Sequence, residues 1–568
     1  MAVQRFKVSL NAARFPLVST KGQRAVYVPG LDSTLRVGES YAGSNESVDT
    51  NRAQVLYGEN FMPIAEGLKS VGYSELIAAT ANEDFDQIFA LRDDQENTVL
   101  YSPAAGKNYV YDGAFGIWTS TAYTTIWSPH VPLAPYTPDL SKVTYAYVEG
   151  YTFVCFSRVK SSDITPVDMS IMYWNPTTQS LSPATALVTN LPFAAGEIDG
   201  IAASNGYLIV YSGITVAWAP FNGTAFDFTI YTAGNYTGAG YQIPEDVQGN
   251  IQACIGLPGG FVIFTTKNGI AASYYSQSVI SPWVFRAIPN CGGIASYEQA
   301  TIEGSLGYII AYTTTGFQKI SLNSAEEVHP DVSDFIVDRY LEQYSFGTQT
   351  LSRSTVNIDF YTKLSNVANR YLILSYGTQP TVFSFALVYD MSLKRWGKLR
   401  VVHCDCFYYS YGSESQAITY SMLGDSTYTD MGTTLYSETL GQSSQIVPAQ
   451  HGLAFLAPTG QVQLATWSNQ LRTEDNAVVV IGRVQLTRTS NIQFNRIELE
   501  GLNTGRIYVV PSYNGKDLEA ASLLTTIEQT TDYRIAGDLI DCKNFNLIVE
   551  GTFDLSTGII EATTAGRM

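Results

Sequence analysis

Residues 206–212 read GYLIVYS: a glycine, an aromatic, an unbroken apolar run, then an aromatic and a hydroxyl. The same pattern returns as GYTFVCFS (150–157), GGFVIFTT (259–266) and GYIIAYTT (307–314). Aligned on Gly150, Gly206, Gly260 and Gly307, the copies lie 56, 54 and 47 residues apart. A period near 50 is the mark of stacked β-units such as propeller blades. Each run is apolar at successive positions, so both faces of the strand must be covered by neighbouring sheets. Each run also leads into a second strand through a turn. Gly213 precedes ITVAW, Asn268-Gly269 precedes IAASYY, and Gly316 precedes FQKIS. Asn-Gly is a strong hairpin signal.

A second repeat marks where units end. YDGAFGIW (111–118) and YDMSLKRW (389–396) both begin Tyr-Asp and place a Trp seven positions on. Tyr111, Asp112, Trp118, Tyr389, Asp390 and Trp396 are therefore read as a structural signature that closes a blade. Worn copies are YWNPTTQSL (173–181) and YYSQSVISPW (274–283). Further hairpins fall near QIFALRDDQENTVLYS (87–102), RYLILSY (370–376) and HGLAFLAPTGQVQLATW (451–467), the last with Gly460 in its turn. About seven hairpins between residues 80 and 470 allow five to seven blades.

The expected fold class is all-β. Residues 1–75 form an extended N-terminal arm, 76–475 a β-propeller, and 476–568 an antiparallel β-sandwich or barrel, which packs with the arm. HPDVSDFIVDRYLEQY (329–344) places Val332, Phe335, Ile336 and Tyr340 on one helical face, so a helical insertion is expected near 330–344. In IQFNRIELEG, Ile492, Phe494, Ile497 and Leu499 lie near one side of a strand.

Composition agrees with a β-rich chain. Of 568 residues 45% are hydrophobic and only 15% charged, below the usual quarter or so. Tyr, at 38, outnumbers Lys and Arg together, at 33. Tyrosine favours strands and large permanent interfaces. The formal net charge of −18 argues against phosphate binding, which needs clustered Lys and Arg. Six irregularly spaced Cys make no disulfide framework. The start, MAVQRFKVSL, has no signal-type apolar core, and no run of 18 apolar residues suggests a membrane span. A soluble protein made in a cytoplasm is expected.

Chemistry-bearing motifs are sparse. The four His (His130, His329, His403, His451) form no HExxH pair. HCDC (403–406) could turn Cys404 and Cys406 to one face, but it has no second ligand pair nearby. GDSTYTDMG (424–432) loosely resembles a calcium loop and lacks its closing Glu. Asp84, Asp86, Asp93 and Asp94 read as a solvated acidic face. No catalytic residue, cofactor site or metal site is assigned, and the chain is not expected to be an enzyme.

In outline the whole chain resembles the β-propeller tail hub, or nozzle, proteins of short-tailed bacteriophages. ENFMPIAEGLKSVGYSE (59–75) is similar to the segment in which that family's arm ends before the first blade. ALVYDMSLKRWGKL (386–399) resembles its terminal blade ending, and GLAFLAPTGQVQLATW (452–467) the hairpin that follows. NFNLIVEGTFDLSTGIIEATTAGRM (544–568) resembles its last strands. The resemblance implies a virion tail protein, assembled in the host cytoplasm as a homo-oligomer, a hexameric ring. Its partners would be the adaptor ring at the head-tail connector and tail fibre or spike proteins. Genomic DNA would pass through the lumen without specific binding. An acidic ring suits that passage. The alternative is a propeller that binds or cleaves host surface glycans, with Tyr and Trp stacked on sugars.

Overall fold

The computed structural model describes residues 3–9, 35–36, 54–64, 67–77, 85, 87–92, 94, 98–104, 107–112, 117–122, 143–156, 171–193, 197–230, 237–277, 281–303, 307–328, 340–345, 350–355, 361–411, 450–466, 477–485, 491–499, 502–512, 544–555 and 557–565. Among these residues every regular element is a β-strand, apart from one 3-10 turn at Tyr297–Gln299. No helix among them is long and apolar enough to cross a membrane.

The strands form a β-propeller. Five blades are four-stranded antiparallel sheets taken from consecutive stretches of chain. Their first strands are Phe89–Arg92, Val143–Val148, Gly200–Ser204, Ile251–Leu257 and Ala300–Glu303. Two more four-stranded units complete the ring. The sixth runs from Tyr361–Val367 to Arg395–His403. The seventh takes Asp405–Tyr411, Gln450–Leu456 and Val462–Thr466, and its fourth strand is Gly72–Ile77 from near the N-terminus. That strand straddles the expected boundary at residue 75.

The apolar runs are the second strands, and alternation sends their side chains to opposite neighbours. Val154 and Phe156 pack towards Phe89 and Tyr101 of the first blade. Phe153 and Cys155 pack towards Leu208 and Val210 of the third. Ile209 and Tyr211 of the third blade meet Phe261 and Ile263 of the fourth. Val262 and Phe264 then meet Ile309 and Ala311 of the fifth. Fifth and sixth units touch through Phe317 and Trp396, with ring centroids 6.4 Å apart. Ile373 and Val388 of the sixth unit pack with Leu453 and Phe455 of the seventh. Phe85 and Leu100 close the circle against Cys404 and Leu456.

The turns refine the alignment. Glu149-Gly150 (φ 50 and 83) and Asn205-Gly206 (φ 50 and 77) are two-residue hairpin loops with both residues left-handed. Gly307 is also left-handed, at φ 73. In the fourth blade that place belongs to Gly259 (φ 82), not Gly260. Gly260 opens the strand instead. A Cβ there would lie 2.2 Å from the Ala272 carbonyl oxygen. The next turn is also shifted. Asn268 and Gly269 are already strand, and the bend is at Thr266–Lys267. The hydroxyl ending the run makes that bend, because Thr265 Oγ1 accepts from Lys267 N (3.1 Å) and Asn268 N (3.0 Å).

The ends of the chain are woven together. Val3–Ser9 pairs with Thr557–Ala565, and Gln54–Glu59 with Ala477–Gln485. A hairpin of Phe61–Ile64 and Gly67–Ser70 joins the outer strand of the sixth unit to Asn544–Leu555. The ladder of Asn491–Leu499 with Thr557–Ala565 carries a one-residue bulge at Asn495, between Phe494 and Arg496.

One expectation is corrected. The proposed helix is strand where it is described: Tyr340–Ser345 pairs antiparallel with Thr350–Thr355. The stretch Tyr-Leu-Glu-Gln-Tyr has its ladder partner at Thr350–Thr355, close by in the chain, which a helical-face pattern does not weigh. Residues 329–339 lie outside the described residues.

Candidate functional site

The first strands of all seven units converge on the axis and line an open cavity of about 330 Å³. Its walls include Ile88, Thr144, Ile201, Cys254, Thr301 and Lys363. The centre of its chemistry is a buried triad. Lys363 Nζ lies 3.1 Å from Glu298 Oε1 and 3.2 Å from Asp405 Oδ1, and donates to the Cys404 carbonyl at 3.4 Å. Glu298 Oε1 also accepts from Gln87 Nε2 (3.3 Å) and Tyr297 OH (3.4 Å). Asp405 Oδ2 accepts from Ile88 N (2.9 Å), and Oδ1 from Cys406 N (2.8 Å). Four units therefore meet here: the fifth through Glu298, the sixth through Lys363, the seventh through Asp405 and the first through Gln87 and Ile88.

Local structure fixes each group. Glu298 sits in the 3-10 turn, whose capping box joins Ser296 and Gln299. Gln299 Nε2 donates to Thr362 Oγ1 at 2.7 Å, tying that turn to the strand bearing Lys363. Asp405 begins the first strand of the seventh unit. Burial disfavours the Lys363 ammonium, but Asp405 and Glu298 outweigh it and hold the lysine above its ordinary range. Burial pushes the Glu298 carboxyl up against the pull of Lys363. Burial raises the Tyr297 and Tyr211 phenols well above theirs, so they remain O–H donors.

None of the ten signature residues is among those lining this cavity. The Tyr, Asp and Trp residues among them form the hairpins on the far side of the blades. Tyr111 stands opposite Trp118, and Tyr389 opposite Trp396, in the same register. The Tyr389 and Trp396 rings are 4.9 Å apart. Asp390 shapes its turn, with Oδ1 accepting from Ser392 N (2.9 Å) and Leu393 N (3.1 Å). Asn175 does the same in the worn copy, accepting from Thr177 N and Thr178 N, and Trp174 there opposes Leu181. In the looser copy Trp283 opposes Tyr274 rather than Tyr275. Gly150, Gly206 and Gly307 are turn glycines on the inner hairpins, and Gly260 is the close-packed strand position.

HCDC is divided between two interfaces rather than turned to one face. Cys404 packs towards the first blade and Cys406 towards the sixth unit. His403 is fully buried, with Nδ1 2.8 Å from the Val401 carbonyl and Nε2 2.7 Å from Ser375 Oγ. Burial lowers its pKa to about 4. No group of three metal-ligating side chains occurs among the described residues. Residues 424–432, Asp84, Asp86 and Asp93 lie outside the described residues, and Asp94 is exposed.

Sequence reading missed Lys363, Glu298 and Asp405. Each is ordinary in its own stretch, and 107 residues separate the first from the last. The available signal was a charge at the start of an apolar blade, as in YTKLSN and HCDCFYY.

No family model and no curated protein matches the chain. Solved structures with some likeness include the dihydro-heme d1 dehydrogenase NirN in complex with DHE (11% identity, TM-score 0.28, covering 60% of this chain and 61% of that one). Another is the extracellular domain of the one component system BT4673 of B. thetaiotaomicron (9%, 0.34, 81% and 48%). A third is Citrobacter koseri AztD (10%, 0.27, 61% and 89%). The chain thus spans less than two thirds of the first two. Likeness at these scores carries no argument about activity.

Proposed function

We propose that the chain is a structural virion protein: a ring-forming tail hub or nozzle of a short-tailed bacteriophage, without catalytic activity. In this reading six copies surround a channel below the portal and adaptor ring. They retain the genome, then pass it, and they anchor fibres or spikes. The N-terminal segment and the C-terminal strands, as a sandwich, form the platform on which the propeller stands.

One observation carries the reading. The FMPIAEGLKS stretch is the hairpin that bridges the sixth unit to the C-terminal strands, with Lys398 opposite Phe61 and Asp554 opposite Lys69. In this reading the segment that resembles the family's arm is the joint between propeller and platform. Such a joint transmits load through backbone hydrogen bonds, which suits a wall under internal pressure better than a free-standing binding propeller. The propeller's own axis, a pocket of about 330 Å³ lined by Lys363, Glu298 and Asp405, is too small for a duplex. The DNA path belongs between copies, and the net charge of −18 favours a surface along which phosphates slide.

Native mass spectrometry of the full chain across a concentration series tests this. A six-membered ring is expected, alone or on addition of the adaptor ring. A chain that remains monomeric with the adaptor present, and binds or cleaves surface glycans, would replace this reading with the glycan one.

A further inference from the structure

The axial triad has the composition of a self-condensing pair. Amine, carboxyl and a second carboxyl lie within hydrogen-bond reach, with side-chain exposures of only 9% for Lys363, 10% for Asp405 and 15% for Glu298. We propose that Lys363 and Asp405 become joined by an amide cross-link, with Glu298 carrying the protons. The inference is independent of the tail-hub reading.

The atoms balance without a co-reactant. Glu298 takes one proton from the Lys363 ammonium across 3.1 Å and delivers it to Asp405 Oδ1. The freed amine lone pair attacks Asp405 Cγ, the C–N bond forms, and negative charge moves to Oδ2. Ile88 N–H, 2.9 Å from Oδ2, stands where that charge develops. Glu298 then takes a second proton from the nitrogen and delivers it to Oδ1. The C=O bond to Oδ2 re-forms and Oδ1 leaves as water. One ammonium and one carboxylate become one amide and one water, and Glu298 is restored.

Three physical terms favour the step. Groups held in contact react with effective molarities on the order of 10⁵ M or more. Two buried charges disappear, removing the desolvation cost that a buried ion pair carries. The cavity of about 330 Å³ that the three residues line gives the water a way out. Glu298 is equipped for its part, because Gln87 Nε2 and Tyr297 OH hold its carboxyl in place and burial favours its protonated form. The product would tie the first strands of the sixth and seventh units, 42 residues apart in the chain, by a covalent bond.

Intact mass spectrometry of the denatured full chain decides it. The expected mass is that of the sequence less one water, with a branched proteolytic peptide containing Lys363 and Asp405. Glu298→Gln, which preserves shape, and Lys363→Arg should both restore the full sequence mass. A wild-type chain at full mass overturns the proposal. So does loss of water that persists in Lys363→Arg, since the bond would then lie elsewhere. Should either variant fail to fold, the wild-type mass and the branched peptide still give the answer.

Discussion

At the residue scale, burial decides behaviour. His403 is neutral in the folded protein because its ring is sealed among Phe383, Phe455 and Ser375. Its folded pKa of about 4 lies below the ordinary 6.5. Protons therefore bind the unfolded chain more readily as pH falls through 6.5, and stability drops until about pH 4, where the loss levels off. The total from this one residue is about 3 kcal/mol. Denaturant midpoints measured from pH 7 to pH 4 should show that loss in the wild type and a shallower slope in His403→Gln. Lys363 acts in the opposite sense: until the amide forms, it is the cation between two buried carboxylates. Lys363→Met should cost about 3–5 kcal/mol at neutral pH, because it leaves both carboxylates uncompensated. The cost should shrink in acid as Glu298, whose carboxyl burial already pushes up, takes up a proton, and thermal melts at two pH values check this.

At the scale of the element, close packing between blades sets the tolerance. Gly260→Ala drives a Cβ against the Ala272 carbonyl and the Leu322 side chain, so a loss of about 1–3 kcal/mol is expected. Gly150→Ala should cost less, about 1 kcal/mol: its Cβ would meet nothing within 4 Å, and only the left-handed φ is strained. Melting curves of the two variants rank them. The second strands were legible in the sequence because Leu208, Ile209, Val210 and Tyr211 are apolar at consecutive positions, which only a strand covered on both sides can satisfy. The outer hairpins were legible because Tyr389 and Trp396 are paired across a turn that Asp390 closes. Gly259 and Gly260 were confused because adjacent glycines give no signal of which one is left-handed. The strand Tyr340–Ser345 was misread because helical spacing and strand propensity compete in so short a segment. The axial triad was illegible because its members belong to different blades, and only ring closure brings Lys363, Glu298 and Asp405 together.

At the scale of the molecule, the ring is closed by a strand from the far end of the chain. Gly72–Ile77 pairs with Val462–Thr466, so the seventh unit cannot be completed without the N-terminal segment. No local pattern in GYSELI shows that its partner lies nearly four hundred residues later. Removing residues 1–77 should leave the outer edge of the seventh unit unpaired and the sixth without its bridging hairpin. An exposed edge of that kind templates aggregation. Size-exclusion chromatography should show the truncated chain in the void volume. A monodisperse, protease-resistant truncation would show that the ring holds without its closing strand.

The central claim is that this closed propeller and its woven ends form one load-bearing copy in a tail ring. Single-particle electron cryo-microscopy of the full chain, with the adaptor ring present, measures it most directly. The account predicts six copies around a channel wide enough for duplex DNA, each propeller keeping its own narrow axial pocket and the channel running between copies. Isolated monomers under all conditions, or a ring whose only opening is the propeller axis, would contradict it.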